Sequence, residues 1–186
     1  MSNTSYKIAY VIAFCLTFPL IISCQKSAKN DALYMYEDPS GASCGYKNAK
    51  GQVVIPAGKY AACFTDTLYH YAFVFESEVG MIAIDKRGAR LYEVFIYDNG
   101  PDPASEGLFR FMHGGKIGYA DAQTGKIIIG PLYDGAFPFE NGMAKVGINC
   151  TTTYENEHAT WTGGLWKYID RDGRTVTPLA DENNKN

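Results

Sequence analysis

The sequence predicts an all-β protein built from antiparallel hairpins. Its 186 residues include 14 Tyr, 10 Phe and 2 Trp, and aromatic side chains favour strands. The 19 Gly and 8 Pro supply frequent tight turns. Between Tyr71 and Glu76 the side chains alternate, so that Tyr71, Phe73 and Phe75 share one face of a strand. A chain of this length has room for a single domain of ordinary size.

The charge balance argues against nucleic acid as a partner. The chain has 17 Lys and Arg residues against 20 Asp and Glu residues, which gives a net charge of −3. Binding to a phosphate backbone needs a basic excess, and this sequence has none.

Residues 1–23 predict a secretory signal peptide. The segment from Ile8 to Ser23 is almost wholly apolar and follows Lys7, the only charged residue before Cys24. We expect this leader to be removed. A retained membrane helix is the alternative, but the stretch is slightly short for one and contains Pro19.

The end of the leader, Leu20-Ile21-Ile22-Ser23-Cys24, resembles the lipobox of bacterial lipoproteins. The resemblance implies that the thiol of Cys24 receives a diacylglycerol and that the new amino terminus is acylated, which would anchor the chain on a membrane. Gln25 follows in place of Asp, which by the same resemblance implies the outer membrane, and no acidic run follows, so we expect the periplasmic face. An ordinary secretory signal with an incidental Cys24 is the alternative.

The mature chain divides into three parts by composition. Residues 24–43 are mostly polar and predict a tether that carries the lipid on Cys24. Residues 44–179 predict a β-repeat domain, and residues 180–186 form a polar tail.

The domain repeats itself in four units, which align on Tyr46, Ala83, Tyr119 and Tyr168 at spacings of 37, 36 and 49 residues. In each unit an Asp or Asn precedes a Gly by three or four residues between two short β-rich runs, a pattern typical of a hairpin turn. The last interval is longer because an insertion occupies about residues 149–163. A period of this size indicates stacked supersecondary units.

The third unit carries the clearest family pattern, from Gly118-Tyr119-Ala120-Asp121 through Gly130-Pro131-Leu132-Tyr133-Asp134 to Gly142-Met143-Ala144-Lys145-Val146. These residues resemble the WG-repeat family, and the resemblance spans about residues 45–178. It implies antiparallel hairpins arranged as a curved or barrel-like meander. It also implies a role in binding or scaffolding, with no catalytic residues to transfer.

The residues themselves predict no catalytic, metal or cofactor site. His70, His113 and His158 lie far apart without paired ligand spacing. No nucleophile, phosphate-loop or metalloprotease motif occurs. The turn-rich segment from Asp98 to Pro103 lacks the acidic ladder of a calcium loop and predicts a rigid turn instead. Enzymatic activity is therefore not expected.

Three cysteines remain after Cys24 in an expected oxidising compartment: Cys44, Cys63 and Cys150. Cys44 and Cys63 flank one hairpin unit and are the favoured disulfide pair. Three reduced thiols are the alternative, because connectivity does not follow from sequence.

The insertion carries the candidate ligand-binding residues. Tyr154 and Trp161 lie within it and Trp166 follows it, among polar residues. Exposed aromatic side chains can bind a protein or stack on a sugar, although the same residues could be core. We expect a lipid-anchored envelope module that recognises a protein, with a carbohydrate-binding accessory lipoprotein as the alternative.

Overall fold

The computed structural model describes residues 31–155 and 158–178. Within these ranges the chain is all-β with antiparallel hairpins, as the sequence predicts, and this expectation is confirmed. No helix in the described ranges is long and apolar enough to cross a membrane. The expected signal peptide, the lipid-attachment residue Cys24 and the polar tail lie outside the described residues.

The described strands are short, and every pairing between them is antiparallel. Their bounds are β1 Leu33–Glu37, β2 Cys44–Asn48, β3 Val53–Tyr60, β4 Ala62–Cys63, β5 Thr67–Leu68, β6 Ala72–Glu76, β7 Gly80–Ile84, β8 Arg90–Val94, β9 Ile96–Tyr97, β10 Gly100–Pro101, β11 Leu108–His113, β12 Lys116–Asp121, β13 Ile127–Tyr133, β14 Gly135–Ala136, β15 Met143–Ile148, β16 Thr151–Glu155, β17 His158–Thr162, β18 Leu165–Asp170 and β19 Thr175–Val176.

The strands form four units of three strands each. Unit 1 contains β1, β2 and β3, unit 2 contains β6, β7 and β8, unit 3 contains β11, β12 and β13, and unit 4 contains β15, β18 and β19. Units 2 and 3 join into one sheet of seven strands through β8 and β11, whereas units 1 and 4 form separate sheets of four strands. Two short two-stranded ribbons, β9–β10 and β16–β17, complete the described fold.

The strand register agrees with the alignment of the repeats. Tyr46 pairs with Ile55 in unit 1, and Tyr119 pairs with Ile129 in unit 3. Ala83 and Tyr168 hold the same position in the middle strands of units 2 and 4. Each unit therefore presents equivalent residues on equivalent faces.

The start of the domain differs from the expectation. The prediction of a tether over residues 24–43 is wrong for one segment: Leu33–Glu37 form β1 and pair along their whole length with β2. Leu33 is buried in the core. The short apolar patch lies in a polar segment, so composition alone did not indicate a strand. The strand forms because pairing with β2 across a turn satisfies the hydrogen bonds of its backbone.

The core consists of layers between successive units. One buried cluster joins unit 1 to unit 2, a second joins unit 2 to unit 3, and a third joins unit 3 to unit 4. We call the side of a unit that packs on the preceding unit its first face, and the opposite side its second face. Burial of both faces of the middle units provides most of the hydrophobic stabilisation expected of a repeat array.

Tyrosine hydroxyls of units 1 and 2 bond to the turn of the following unit. Tyr60 donates a hydrogen bond to the carbonyl of Gly88 at 3.0 Å, and Tyr92 donates to the carbonyl of Gly125 at 2.8 Å. Gly125 has a φ of +71°, and a Cβ there would lie 2.6 Å from the ring of Tyr71. This turn therefore requires glycine for both its backbone angle and its close approach.

The sulfurs of Cys44 and Cys63 are joined in a disulfide. The bond connects β2 to β4, and it is the pairing favoured from the sequence. Cys150 forms no disulfide with the other cysteines in the part of the chain that the structure describes.

Candidate functional site: the second face of unit 4

The second face of unit 4 is the candidate functional site. Tyr168 of β18 lies opposite Lys145 of β15 on one side and opposite Val176 of β19 on the other. Trp166 precedes Tyr168 by two residues and therefore lies on the same face of the sheet. We call these four residues the terminal face. The residues equivalent to Tyr168 in units 1 to 3 are Tyr46, Ala83 and Tyr119, and each is buried in the cluster shared with the unit that follows.

Exposure distinguishes the terminal face from its counterparts. Tyr168 is 37% exposed, whereas the equivalent Tyr46 and Tyr119 are 0% and 1% exposed. The hydroxyls of those two buried tyrosines donate to the carbonyls of Thr65 and Phe137, which lie in the segments that lead to the next unit. No described residue accepts a hydrogen bond from Tyr168.

An aromatic cluster borders the terminal face. The ring of Phe137 lies 5.5 Å from that of Trp161 and 5.8 Å from that of Trp166, measured between centroids. Both tryptophans pack on Gly135, where a Cβ would lie 2.7 Å from Trp166 and 2.9 Å from Trp161. Phe137 remains 43% exposed, so the cluster presents an apolar surface to solvent.

Trp161 reaches this cluster from the insertion. In unit 3 the first two strands are joined by a tight turn at Gly114 and Gly115, both with positive φ. In unit 4 the hairpin β16–β17 occupies the corresponding place, and Trp161 pairs with Thr152 within it. The hairpin thus brings an additional aromatic ring to the edge of the terminal face.

The terminal face carries one positive charge. The ammonium of Lys145 lies 5.2 Å from the centroid of the Trp166 ring, within the range of a cation–π interaction. The indole N–H of Trp166 donates to the carbonyl of Gly163 at 2.8 Å, which fixes the orientation of the ring. Lys145 makes no ion pair with a described carboxylate, so its charge is available to a partner.

A buried ion pair lies next to the aromatic cluster. Arg110 and Asp102 have side-chain exposures of 5% and 1% and make a bidentate contact. The guanidinium also donates to the carbonyl of Ala136 and lies 4.2 Å from the centroid of Phe95. Because Phe95 packs on Trp161 at 6.3 Å, the pair connects the core of unit 3 to the cluster.

The base of the inserted hairpin is held by Asp134. Its carboxylate accepts a hydrogen bond from Lys116 at 2.5 Å and another from the backbone N–H of Asn149 at 2.6 Å. The Lys116 contact lowers the pKa of Asp134 below its ordinary value. Nearby, burial raises the pKa of the Cys150 thiol, which favours the protonated and unreactive form.

The structure brings together two of the three aromatic residues that the sequence singled out. Trp161 and Trp166 are both partly buried and share the cluster with Phe137. Tyr154 lies further along the hairpin, where its backbone pairs with Ala159 in β17. Sequence reasoning missed Lys145, Phe137 and Tyr168 as site residues, although the alternation of β15 indicated that Lys145 faces away from Ala144 and Val146.

The remaining candidates form no second centre within the described residues. No group of three His, Cys, Asp or Glu side chains there could hold a metal ion. The segment from Asp98 to Pro103 contains the tight turn of the β9–β10 ribbon, with φ of 47° at Asp98 and 63° at Asn99. Asp102 of this segment is the buried partner of Arg110.

Part of the repeat domain matches a known family model. Residues 117–149 match the family model described as WG containing repeat. The match begins in β12 of unit 3 and ends after β15 of unit 4, so it crosses the junction between these units. It supports the resemblance to WG-repeat proteins seen in the sequence. No curated protein matches the chain.

Proposed function

We propose that the chain is a non-catalytic binding module of the cell envelope, held on a membrane through a lipid on Cys24, and that its terminal face docks a protein partner. The observation that carries the docking surface is the exposure of the second face of unit 4. Its Tyr168 is 37% exposed at a position that is fully buried in units 1 and 3.

The composition of the terminal face is suited to protein recognition. Tryptophan and tyrosine side chains are enriched among the residues that dominate the binding energy of protein interfaces, and they act best when a partner removes them from water. Here Trp166, Tyr168 and the neighbouring Phe137 offer partly exposed rings on a rigid sheet. Little conformational entropy remains to be lost when a partner binds, because Gly135 and the Trp166 hydrogen bond already fix the rings.

Charge indicates what the partner presents. Lys145 places a positive charge over the indole of Trp166, which favours an apolar surface that carries a carboxylate. A second copy stacked head to tail would instead present the first face of unit 1, where Lys47 lies 5.8 Å from the ring of Tyr36. The two lysines would repel each other, so a different acidic protein is the better match.

The site of anchorage follows from the leader described above. Because β1 begins at Leu33, residues 25–32 are the longest spacer available between Cys24 and the domain, and they span at most about 29 Å when fully extended. A lipid on Cys24 would therefore hold unit 1 near the membrane and direct the search for a partner to proteins at the same surface.

Cross-linking in the cells that produce the chain tests this proposal. We expect a tagged wild type to fractionate with membranes and to yield one cross-linked acidic protein, a Trp166→Ala, Tyr168→Asp variant to remain on membranes but lose that protein, and Cys24→Ser to leave the membrane. Tyr34→Asp is the matched control, because Tyr34 is 41% exposed on the opposite end of the array.

Different results would overturn different parts of the proposal. A wild type found in the soluble fraction would remove the lipid anchor. Equal capture by the terminal-face variant and the wild type would remove the terminal face as the docking surface. Retention of a glycan by Trp166 with no protein captured would favour the carbohydrate-binding alternative.

A further inference from the structure

A cavity at the junction of units 2 and 3 lies away from the terminal face. Its volume is about 190 Å³, and one wall is the segment from Thr65 to His70 that leads from β4 to β6. The opposite wall is the turn of unit 3 at Ala122 and Gln123. The rings of Tyr71 and Phe73 form the floor.

The walls of this cavity are rigid. The hydroxyl of Tyr71 donates to the carbonyl of Ala122 at 2.9 Å, which joins the floor to the wall from unit 3. Tyr71 and Phe73 pack edge to face at 5.2 Å, and both contact the buried ring of Phe109. The hydroxyl of Thr65 accepts the backbone N–H of Phe73 at 3.0 Å and thereby fixes the other wall. The cavity is therefore preformed.

The cavity offers hydrogen-bonding groups that the described protein does not use. The side chains of Thr67, Tyr69, His70 and Gln123 line it and make no hydrogen bond to a described residue. Together they supply hydroxyl, imidazole and amide groups, which both donate and accept. Tyr69 is 44% exposed, so its ring is available to a ligand at the mouth.

Charge excludes an anionic ligand. No lysine or arginine lines the cavity. The carboxylate of Asp121 lies close enough to raise the pKa of Tyr71, although burial is the larger cause. A phosphate or carboxylate would find no lysine or arginine in the lining of the cavity to pair with its charge. A neutral ligand that has a flat apolar face and several hydroxyls fits both the rings and the unused polar groups.

We propose that this cavity binds one neutral sugar residue of a glycan, which stacks on Tyr69 and hydrogen-bonds to Gln123, His70 and Thr67. Aromatic rings bind the apolar face of a pyranose, and the polar groups at the rim can hydrogen-bond to its hydroxyls. The site does not depend on the terminal face or on the lipid anchor.

Saturation-transfer NMR on the full chain tests the site, with D-glucose, D-galactose and N-acetyl-D-glucosamine as probes. We expect saturable binding of at least one of these sugars, and a loss of affinity of about tenfold in Tyr69→Ala and in Gln123→Ala. Both positions are exposed, so the variants keep the fold. Tyr34→Ala is the control, because it removes an equally exposed tyrosine from unit 1.

Three outcomes would overturn the inference. None of the three sugars gives a saturable signal at tens of millimolar. A sugar binds the wild type and both cavity variants equally. Binding is lost in Trp166→Ala and kept in the cavity variants, which would place the sugar on the terminal face instead.

Discussion

At the scale of single residues, the structure gives Arg110 a role that its sequence position does not suggest. It occupies the place in β11 that Phe73 occupies in β6, since Arg110 pairs with Tyr119 and Phe73 pairs with Ala83. A charge there is tolerated because Asp102 and the carbonyl of Ala136 satisfy the guanidinium. Two buried charges cost desolvation that only good geometry offsets.

Removing one partner of this pair is therefore expected to be costly. Asp102→Ala leaves Arg110 buried without compensation and should lower the free energy of unfolding by about 3–5 kcal/mol. The double variant Asp102→Leu, Arg110→Met should recover only part of this loss, because it removes the unpaired charge but leaves the buried backbone N–H of Arg110 without the carboxylate that accepts it. Urea denaturation measures both. A loss below about 1 kcal/mol for Asp102→Ala would mean that the pair behaves as an exposed one.

The buried tyrosines predict a loss of stability in alkali. Burial raises the pKa of Tyr46, Tyr92 and Tyr119 above the ordinary value of about 10. The folded state therefore holds protons that the unfolded state releases. The free energy of unfolding therefore keeps its full value below a pH of about 10 and falls as the pH rises towards the folded-state pKa values.

Urea midpoints at about pH 8 and about pH 11 measure this decline. Tyr119→Phe should make the dependence on pH shallower because one buried titrating group is lost. Tyr34→Phe, which changes an exposed tyrosine, should leave the dependence unchanged. Equal midpoints for the wild type at the two pH values would contradict the prediction.

At the scale of elements, the inserted hairpin is an addition to a complete unit. β15 and β18 pair over six residues, as do β11 and β12, although unit 3 has only a glycine turn between its strands. The hairpin is thus not needed for strand pairing. Its described contribution to the rest of the fold is Trp161, which packs on Phe137 and Phe95.

Replacing residues 149–164 by Gly-Gly should therefore leave a folded protein. We expect unchanged circular dichroism, a moderately lower melting temperature because the Trp161 contacts are lost, and weaker capture of the partner. Trp161→Ala in the intact chain is the matched control and should reproduce only the part of both effects that comes from the Trp161 ring, because it keeps the Gly163 carbonyl that accepts the indole N–H of Trp166. Full partner capture by the shortened chain would show that the hairpin takes no part in recognition.

At the scale of the whole molecule, the units stack in order and each depends on its neighbours. The middle units are covered on both sides, whereas units 1 and 4 have one neighbour each among the described residues. An array of this kind loses stability first at its ends. The disulfide between Cys44 and Cys63 lies at the first end, where it ties β2 to the segment that leads to unit 2.

The disulfide should therefore stabilise the unit 1 end. It closes a loop with a sequence separation of 19, for which the chain-entropy model gives about 3 kcal/mol. A Cys44→Ala, Cys63→Ala variant should unfold at lower urea concentration by about that free energy and become insensitive to reductant, whereas Cys150→Ala should behave as wild type. Identical midpoints for the wild type with and without reductant would contradict this prediction.

Most of the fold follows from local chemistry that the sequence displays. The Asx and Gly residues of each turn, the alternation in β6 and the recurrence of Tyr46, Ala83, Tyr119 and Tyr168 define hairpins and their period, because turn geometry and strand pleat are local properties. The pair Cys44 and Cys63 was favoured for a similar reason, since the two residues flank one hairpin unit. The strand β1 was missed because its partner lies beyond a turn in a polar segment.

The sequence by itself determined the all-β class, the number of units and the aromatic residues near the insertion. Only the tertiary structure decided which faces are covered. Tyr46, Tyr119 and Tyr168 occupy the same position in their units, yet two are buried and one is exposed, because coverage depends on whether another unit packs on that face. For the same reason, only the structure shows that Lys145 and Phe137 belong to the site and that Arg110 pairs with Asp102.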